Sequence, residues 1–189
     1  MELAYKLLSV EEFLDSCPND QRHYQLIDGV IVAMAPPAIP HQIIAANLTA
    51  EIVPAVQRNR PGCSTRSQAG IAPQGLAGRN HFETDITVTC EPGGSRGIAA
   101  EPVLIVEIQS PSTERDDHFV KLPHYQALPS LQEILYVESQ NVAATLYRRS
   151  GAGWETVELE GGNARLRLDT IGLDITLAAL YRGVPGLAP

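Results

Sequence analysis

The sequence predicts an α+β fold, and three stretches carry that prediction. Val103 to Ile108 is an almost continuous apolar run, rich in β-branched residues and opened by Pro102, which reads as a central strand buried on both faces. Tyr24 to Met34 holds Asp28-Gly29 between two apolar segments, the pattern of a hairpin with a type I′ turn. From His41 to about Arg58, Ile44, Leu48, Ile52, Ala55 and Val56 recur at three- and four-residue spacing, which defines an amphipathic helix. A chain of 189 residues is long enough for one domain with a sizeable core. It is divided into an N-terminal helix and hairpin over 8–35, a core over 40–182 and a loose tail over 183–189.

Taken in order, Ser9 and Glu12 have the spacing of a capping box before a helix from about Val10 to Ser16, ended by Cys17-Pro18. The hairpin follows, and Pro36, Pro37 and Pro40 stop it. Pro54 should kink the long helix or end its regular part. A strand is expected around Cys63 to Ala72, and a single alternating strand over Glu83 to Cys90. In the latter Ile86, Val88 and Cys90 face the core, and Glu83, Asp85, Thr87 and Thr89 the other side. After the central strand, Ser112 or Thr113 can cap a helix with Glu114, Asp116 and Asp117 in its first turn, and Pro123 breaks or opens a helix there. Strands over Leu131 to Glu138, Val142 to Arg149, Trp154 to Leu159 and Ala164 to Leu168, then a short helix over Leu177 to Tyr181, complete the chain.

Composition narrows the function classes. With 14 basic against 22 acidic residues and a net charge of −8, a broad basic surface for nucleic acid is excluded, although a small positive cleft is not. Cys17, Cys63 and Cys90 are odd in number and widely spaced, which favours reduced thiols in a cytoplasmic protein. No apolar run approaches the ~18 residues of a membrane span. There is no phosphate-cradling glycine motif and no serine-hydrolase elbow.

Side chains alternate along a strand, so Val103, Ile105, Glu107 and Gln109 share one face of the central strand. A carboxylate leaving a core face needs a cation, a donor or water. If the strands of Asp85 and Glu107 are neighbours, the two acids can converge on a hard cation such as Mg²⁺, and Lys121 on the next element can complete the site. Taken alone, two acids and one lysine do not define an active site.

Tyr24-Gln25-Leu26-Ile27-Asp28-Gly29, His41, Asp85, Leu104 to Thr113, Asp117, Lys121, Tyr125 and Leu128 to Glu133 occur together in this order. In them the chain resembles the Uma-two family of restriction endonucleases, within the PD-(D/E)xK nuclease superfamily. The resemblance implies a restriction-endonuclease-like core, a mixed central sheet flanked by helices with a metal site at strand ends. It implies a metal-dependent endonuclease with DNA as substrate and Mg²⁺ (or Mn²⁺) as cofactor; a homodimer is expected, because nucleases cutting both strands commonly pair their sites and closed twofold assemblies are the commonest soluble oligomers. Asp85 and Glu107 would be catalytic residues and metal ligands. Gln109 stands at the place of the usual lysine, Lys121 would supply the cation instead, and His41, Asp117 and Tyr125 would be accessory. The alternative is a weak or inactive nuclease-fold protein acting as a nucleic-acid or protein binding module. Thr84 replaces the usual proline before the first acid, and Gln25 and Val30 replace two acids of the hairpin. On this basis Lys121→Ala is expected to leave the fold intact and to cost on the order of 10²–10³ in rate, with part restored by Gln109→Lys.

Overall fold

Helix α1, Val10–Ser16, starts where its capping box places it: Glu12 N–H donates to Ser9 Oγ at 3.2 Å, and Ser9 N–H to Glu12 Oε2 at 3.0 Å. These and the other coordinates come from a computed structural model that describes residues 6–18, 20, 22–91, 96–110 and 117–187. Strands β1 (Tyr24–Ile27) and β2 (Val30–Ala33) pair antiparallel around Asp28 (φ 49°) and Gly29 (φ 84°), the two left-handed positions a type I′ turn demands. Helix α2, Ile39–Asn59, does not end at Pro54 but runs on to Asn59, its buried face made by Ile44, Leu48, Ile52, Ala55 and Val56.

The stretch expected as one strand over Cys63 to Ala72 is two, β3 (Ser64–Ser67) and β4 (Gly70–Ile71), broken at Gln68 with φ 54°. Glu83 to Cys90 likewise divides into β5 (Phe82–Glu83) and β6 (Ile86–Thr89). The cause is tertiary. Thr84 gives its N–H (3.0 Å) and its hydroxyl (3.1 Å) to the carbonyl of Ala69, which draws the chain out of the main ladder. Proline at this position has no N–H to give, so the threonine is suited to the bend. The face of β6 opposite Ile86 and Val88 is also covered: Thr87 and Thr89 are both fully buried.

Strand β7, Pro102–Gln109, lies third from one edge of a six-stranded sheet ordered β10-β9-β8-β7-β6-β3. The other strands are β8 (Glu133–Glu138), β9 (Ala143–Ser150) and β10 (Gly153–Glu160). Only β7 and β8 pair in parallel, so the sheet is mixed. Parallel neighbours need a crossover. Here it contains one π-helical turn, Asp117–Lys121, followed by α3, Leu122–Gln126, with Pro123 in its first turn. The helix cap expected at Ser112 or Thr113 and its acidic first turn lie outside the described residues, as does the side chain of Asp117. Strands β11 (Arg165–Leu168) and β12 (Leu173–Thr176) and helix α4 (Leu177–Leu180) follow.

One sheet face packs on α2, α4 and the β11–β12 pair through Leu104, Val106, Ile108, Leu135 and Leu146. The other packs on the crossover through Ile105, Tyr125, Leu131, Ile134 and Tyr136. The alternation of β7 therefore holds from Leu104 to Ile108, whereas Val103, expected on the face of Ile105, packs against the first of these cores. In the segment read as a loose tail, Val184 is buried and Leu187 packs on the first of these cores. Cys63 and Cys90 form a disulfide, contrary to the expectation of three reduced thiols. Their separation of 27 residues concealed the pairing, but they flank β3 and β6, where Ser64 is opposite Thr89, and one further step of that register brings them together. Cys17 is free.

His81 packs under Gly70, where an added Cβ would come within 2.2 Å of its Nε2, so only glycine fits. The imidazole is buried, its Nδ1 has no hydrogen-bond partner, and burial holds its pKa below the ordinary value. The unfolded chain therefore takes up this proton more readily than the folded one. The folded state's advantage is complete above the unfolded value of about 6.5 and is lost as pH falls toward the lowered folded value. Denaturant titrations at about pH 7.5 and 5.5 should show wild type losing more stability on acidification than His81→Asn.

Candidate active site

Antiparallel pairing of β6 and β7 sets Ile86 opposite Val106. One step further along that register, Asp85 stands opposite Glu107 at the end of the ladder, and directly opposed residues have Cβ atoms about 4.5–5.5 Å apart where the ladder is regular. Asp85 is fixed from two sides: its Oδ2 accepts the N–H of Ile108 at 2.6 Å, and its Oδ1 lies 3.0 Å from His41 Nε2 on α2.

Glu107 points to the crossover face. Its Oε1 accepts hydrogen bonds from Lys121 Nζ at 3.1 Å and Tyr125 Oη at 2.7 Å. The crossover is what places these donors. The π-helical turn, a distortion often found at functional sites, leaves Phe119 79% exposed while Lys121 is 5% exposed, and Tyr125 follows one helical turn later. The charges of Glu107 and Lys121 are almost wholly withdrawn from water, with side chains 4% and 6% exposed. Such a pair persists only where further donors satisfy it, as Tyr125 does here.

Asp85, Glu107, Lys121 and His41 line one cleft of about 380 Å³. It opens beyond the carboxyl ends of the parallel strands β7 and β8, where Ser110, Ser139 and Gln140 complete its wall. Met34 to Ala38, between β2 and α2, add an apolar stretch to its lining.

Two residues not foreseen as site residues also line the cleft. Glu83 Oε1 sits 2.7 Å from His23 Nδ1. Burial pushes the Glu83 carboxyl above the usual range and Asp85 pushes the same way, while His23 and Lys121 oppose the shift. Its signal was present in the sequence, since Glu83 and Asp85 are two apart on one face of an alternating segment. His23 had none, being brought in by the hairpin.

The structure thus brings Asp85, Glu107, Lys121, His41 and Tyr125 together. Gln109 shares the face of Glu107, as expected, but does not line the cleft; it is buried and its Nε2 has no hydrogen-bond partner. Both its chain neighbours, Ile108 and Ser110, do line the cleft, so in rescue by Gln109→Lys the lysine would have to reach it from a buried position. Gln25 and Val30 do not line the cleft either. Arg148 pairs with buried Glu133 at 3.0 Å, and Arg149 stacks on Trp154 at 4.5 Å.

The donors suit a hard divalent cation. Asp85 and Glu107 offer carboxylate oxygens from neighbouring strands, with Glu83 a further acid in the same cleft. Among the described residues no three or more His, Cys, Asp or Glu side chains gather into a ready-made cage. Mg²⁺ binds through as few as one or two carboxylates and keeps several waters, so Asp85 and Glu107 would suffice to hold it.

A mixed sheet flanked by helices, with an acidic cleft at its strand ends, is a nuclease-like α+β fold. The crystal structure of "a putative nuclease belonging to DUF820" from Anabaena variabilis is similar, with a TM-score of 0.74 at 18% identity, over 93% of this chain and 98% of that one. The chain belongs to the Uma2 family, described as "Putative restriction endonuclease", whose model matches residues 10–179. An uncharacterized protein of Synechocystis sp., slr1290, is 29% identical over 94% of this chain and 93% of its own length.

Proposed function

We propose that the protein is a metal-dependent endonuclease that hydrolyses phosphodiester bonds in DNA. The observation that carries this reading is the buried Glu107–Lys121 pair on the wall of a cleft shared with Asp85. A structural ion pair has no need of a cleft, whereas a phosphoryl-transfer site needs acids and a cation converging on one.

Asp85 and Glu107 would hold Mg²⁺ or Mn²⁺. When bound, such an ion polarises a phosphoryl oxygen and makes a water more acidic. The chain's own residues do the positioning. The Ile108 N–H and His41 fix the carboxylate of Asp85, and Tyr125 fixes that of Glu107. Lys121 Nζ holds positive charge where negative charge grows on the phosphate. Hydrolysis adds water across one P–O ester bond: the water oxygen bonds to phosphorus, and the leaving oxygen departs with a proton. Gln109, buried between the lining residues Ile108 and Ser110, would stand behind the site. The reading includes a homodimer, the commonest closed assembly of soluble chains; the Cys63–Cys90 disulfide removes the thiol argument for a cytoplasmic setting. No helix among the described residues is long and apolar enough to cross a membrane.

Incubation of wild type, Asp85→Asn and Glu107→Gln with labelled DNA and either metal tests the reading. Wild type should cleave only with metal and both variants should be inactive. Cleavage in EDTA, or by both variants at the wild-type rate, would contradict it.

A further inference from the structure

Among the described residues, three that are not glycine have a left-handed backbone: Asp28, Gln68 and Arg96. Asp28 belongs to the hairpin turn, and Arg96 pairs with Asp15. Gln68 (φ 54°) differs from both because it lines the cleft. Glycine takes this conformation freely and asparagine or aspartate tolerates it, but other L-residues are strained in it. The break between β3 and β4 needs the conformation and not the side chain, so glycine would serve it better. Strain of this kind gathers at ligand sites, where the surrounding structure enforces it.

The backbone of Gln68 is tied to the site: its N–H donates to the carbonyl of Asp85 at 3.2 Å. The residue is exposed, and no hydrogen bond joins its side-chain amide to another described residue. Two neighbouring glutamines behave differently. Gln42 Nε2 donates to the carbonyl of Pro37 at 2.9 Å, and Gln140 Nε2 to Ser139 Oγ at 3.5 Å. The amide of Gln68 therefore keeps a donor and an acceptor for a molecule arriving from outside.

A second hollow meets the cleft at this point. Pro37, His41, Gln68 and Asp85 line both, and the hollow continues along Ala46 and Thr49 of α2. A substrate longer than its reacting diester has room to run on past Asp85, and Gln68 stands where it would pass.

We propose that Gln68 is a substrate-binding residue: its side-chain amide hydrogen-bonds the nucleotide next to the reacting diester, where the substrate leaves the cleft along the hollow beside α2. The proposal rests on the hydrolytic reading for its reaction and adds to it a contact that positions the substrate.

Two substitutions separate the amide from the backbone. Gln68→Gly removes the amide and suits the left-handed conformation, whereas Gln68→Ala removes the amide and keeps the strained Cβ. Fluorescence anisotropy, with Ca²⁺ replacing Mg²⁺, measures binding of short labelled DNA of uniform sequence, both as single strands and as duplexes. Each variant should bind about three- to ten-fold more weakly than wild type, as the loss of one hydrogen-bonding group gives. Gln68→Gly should melt at or above the wild-type temperature. A loss that varies with the base places the amide on a base edge, and a loss equal for every sequence places it on the sugar or phosphate. Either variant binding as tightly as wild type, or a loss in Gln68→Gly accompanied by a lowered melting temperature, overturns the proposal. Hydrolysis of bis(p-nitrophenyl) phosphate with Mg²⁺ or Mn²⁺, lost in Glu107→Gln, reports on the hydrolytic reading separately. Unweakened DNA binding with diester hydrolysis retained removes the proposal alone. Weakened binding in both variants, without hydrolysis of any diester by wild type, upholds the contact and removes the catalysis.

Discussion

Lys121→Met should lower the stability of the protein by about 3–5 kcal/mol, although it removes only a charge and keeps most of the side chain's volume. The ammonium lies 3.1 Å from a carboxylate that is itself 4% exposed, so its removal leaves Glu107 charged in a place where water cannot take over. Glu107→Gln strands Lys121 in the same way. The double variant loses both charges together and should recover much of the single-variant losses, because a buried pair contributes little net stability against neutral groups of similar shape. Denaturant melts of the four proteins measure the coupling directly. Simple addition of the single losses would show that the two charges do not meet in solution. The sequence alone led to the opposite expectation for Lys121→Ala, an intact fold, because no neighbour in sequence reveals how deeply Lys121 is buried. The π-helical turn carries it inward.

The second large effect is on rate. At a temperature where Lys121→Met remains folded, metal-dependent cleavage should fall by on the order of 10²–10³, the usual loss when one preorganised charge-stabilising group is removed. The fall should appear in kcat more than in KM if Lys121 meets charge that grows in the transition state. A variant folded to the same extent as wild type that cleaves equally fast would reduce Lys121 to a structural counter-ion of Glu107.

What could be read before the structure was local. The Ser9–Glu12 box, the Asp28-Gly29 turn and the alternation of Leu104 to Ile108 each depend on neighbours in sequence, and each was legible. The break at Thr84-Asp85 was not, because the carbonyl that draws Thr84 away belongs to Ala69. It matters for function, since it leaves Asp85 at the end of the β6 ladder, where a carboxylate can face the cleft. The Cys63–Cys90 bond is a consequence of strand register, and His23 reaches Glu83 only because the hairpin folds over that edge. Strand β12 escaped notice because Leu173 to Thr176 is short and interrupted by Asp174. The convergence of Asp85, Glu107 and Lys121 followed from the family resemblance together with strand parity, while the burial of Gln109 needed the fold.

The central claim is that Asp85 and Glu107 act together on one divalent cation. Isothermal titration of Mn²⁺ and Mg²⁺ into wild type, Asp85→Asn and Glu107→Gln, each confirmed folded by circular dichroism, tests it most directly. Wild type should bind one ion per chain, and each variant should lose that binding. Wild type that takes up no ion, or variants that bind it as tightly as wild type, would contradict the account.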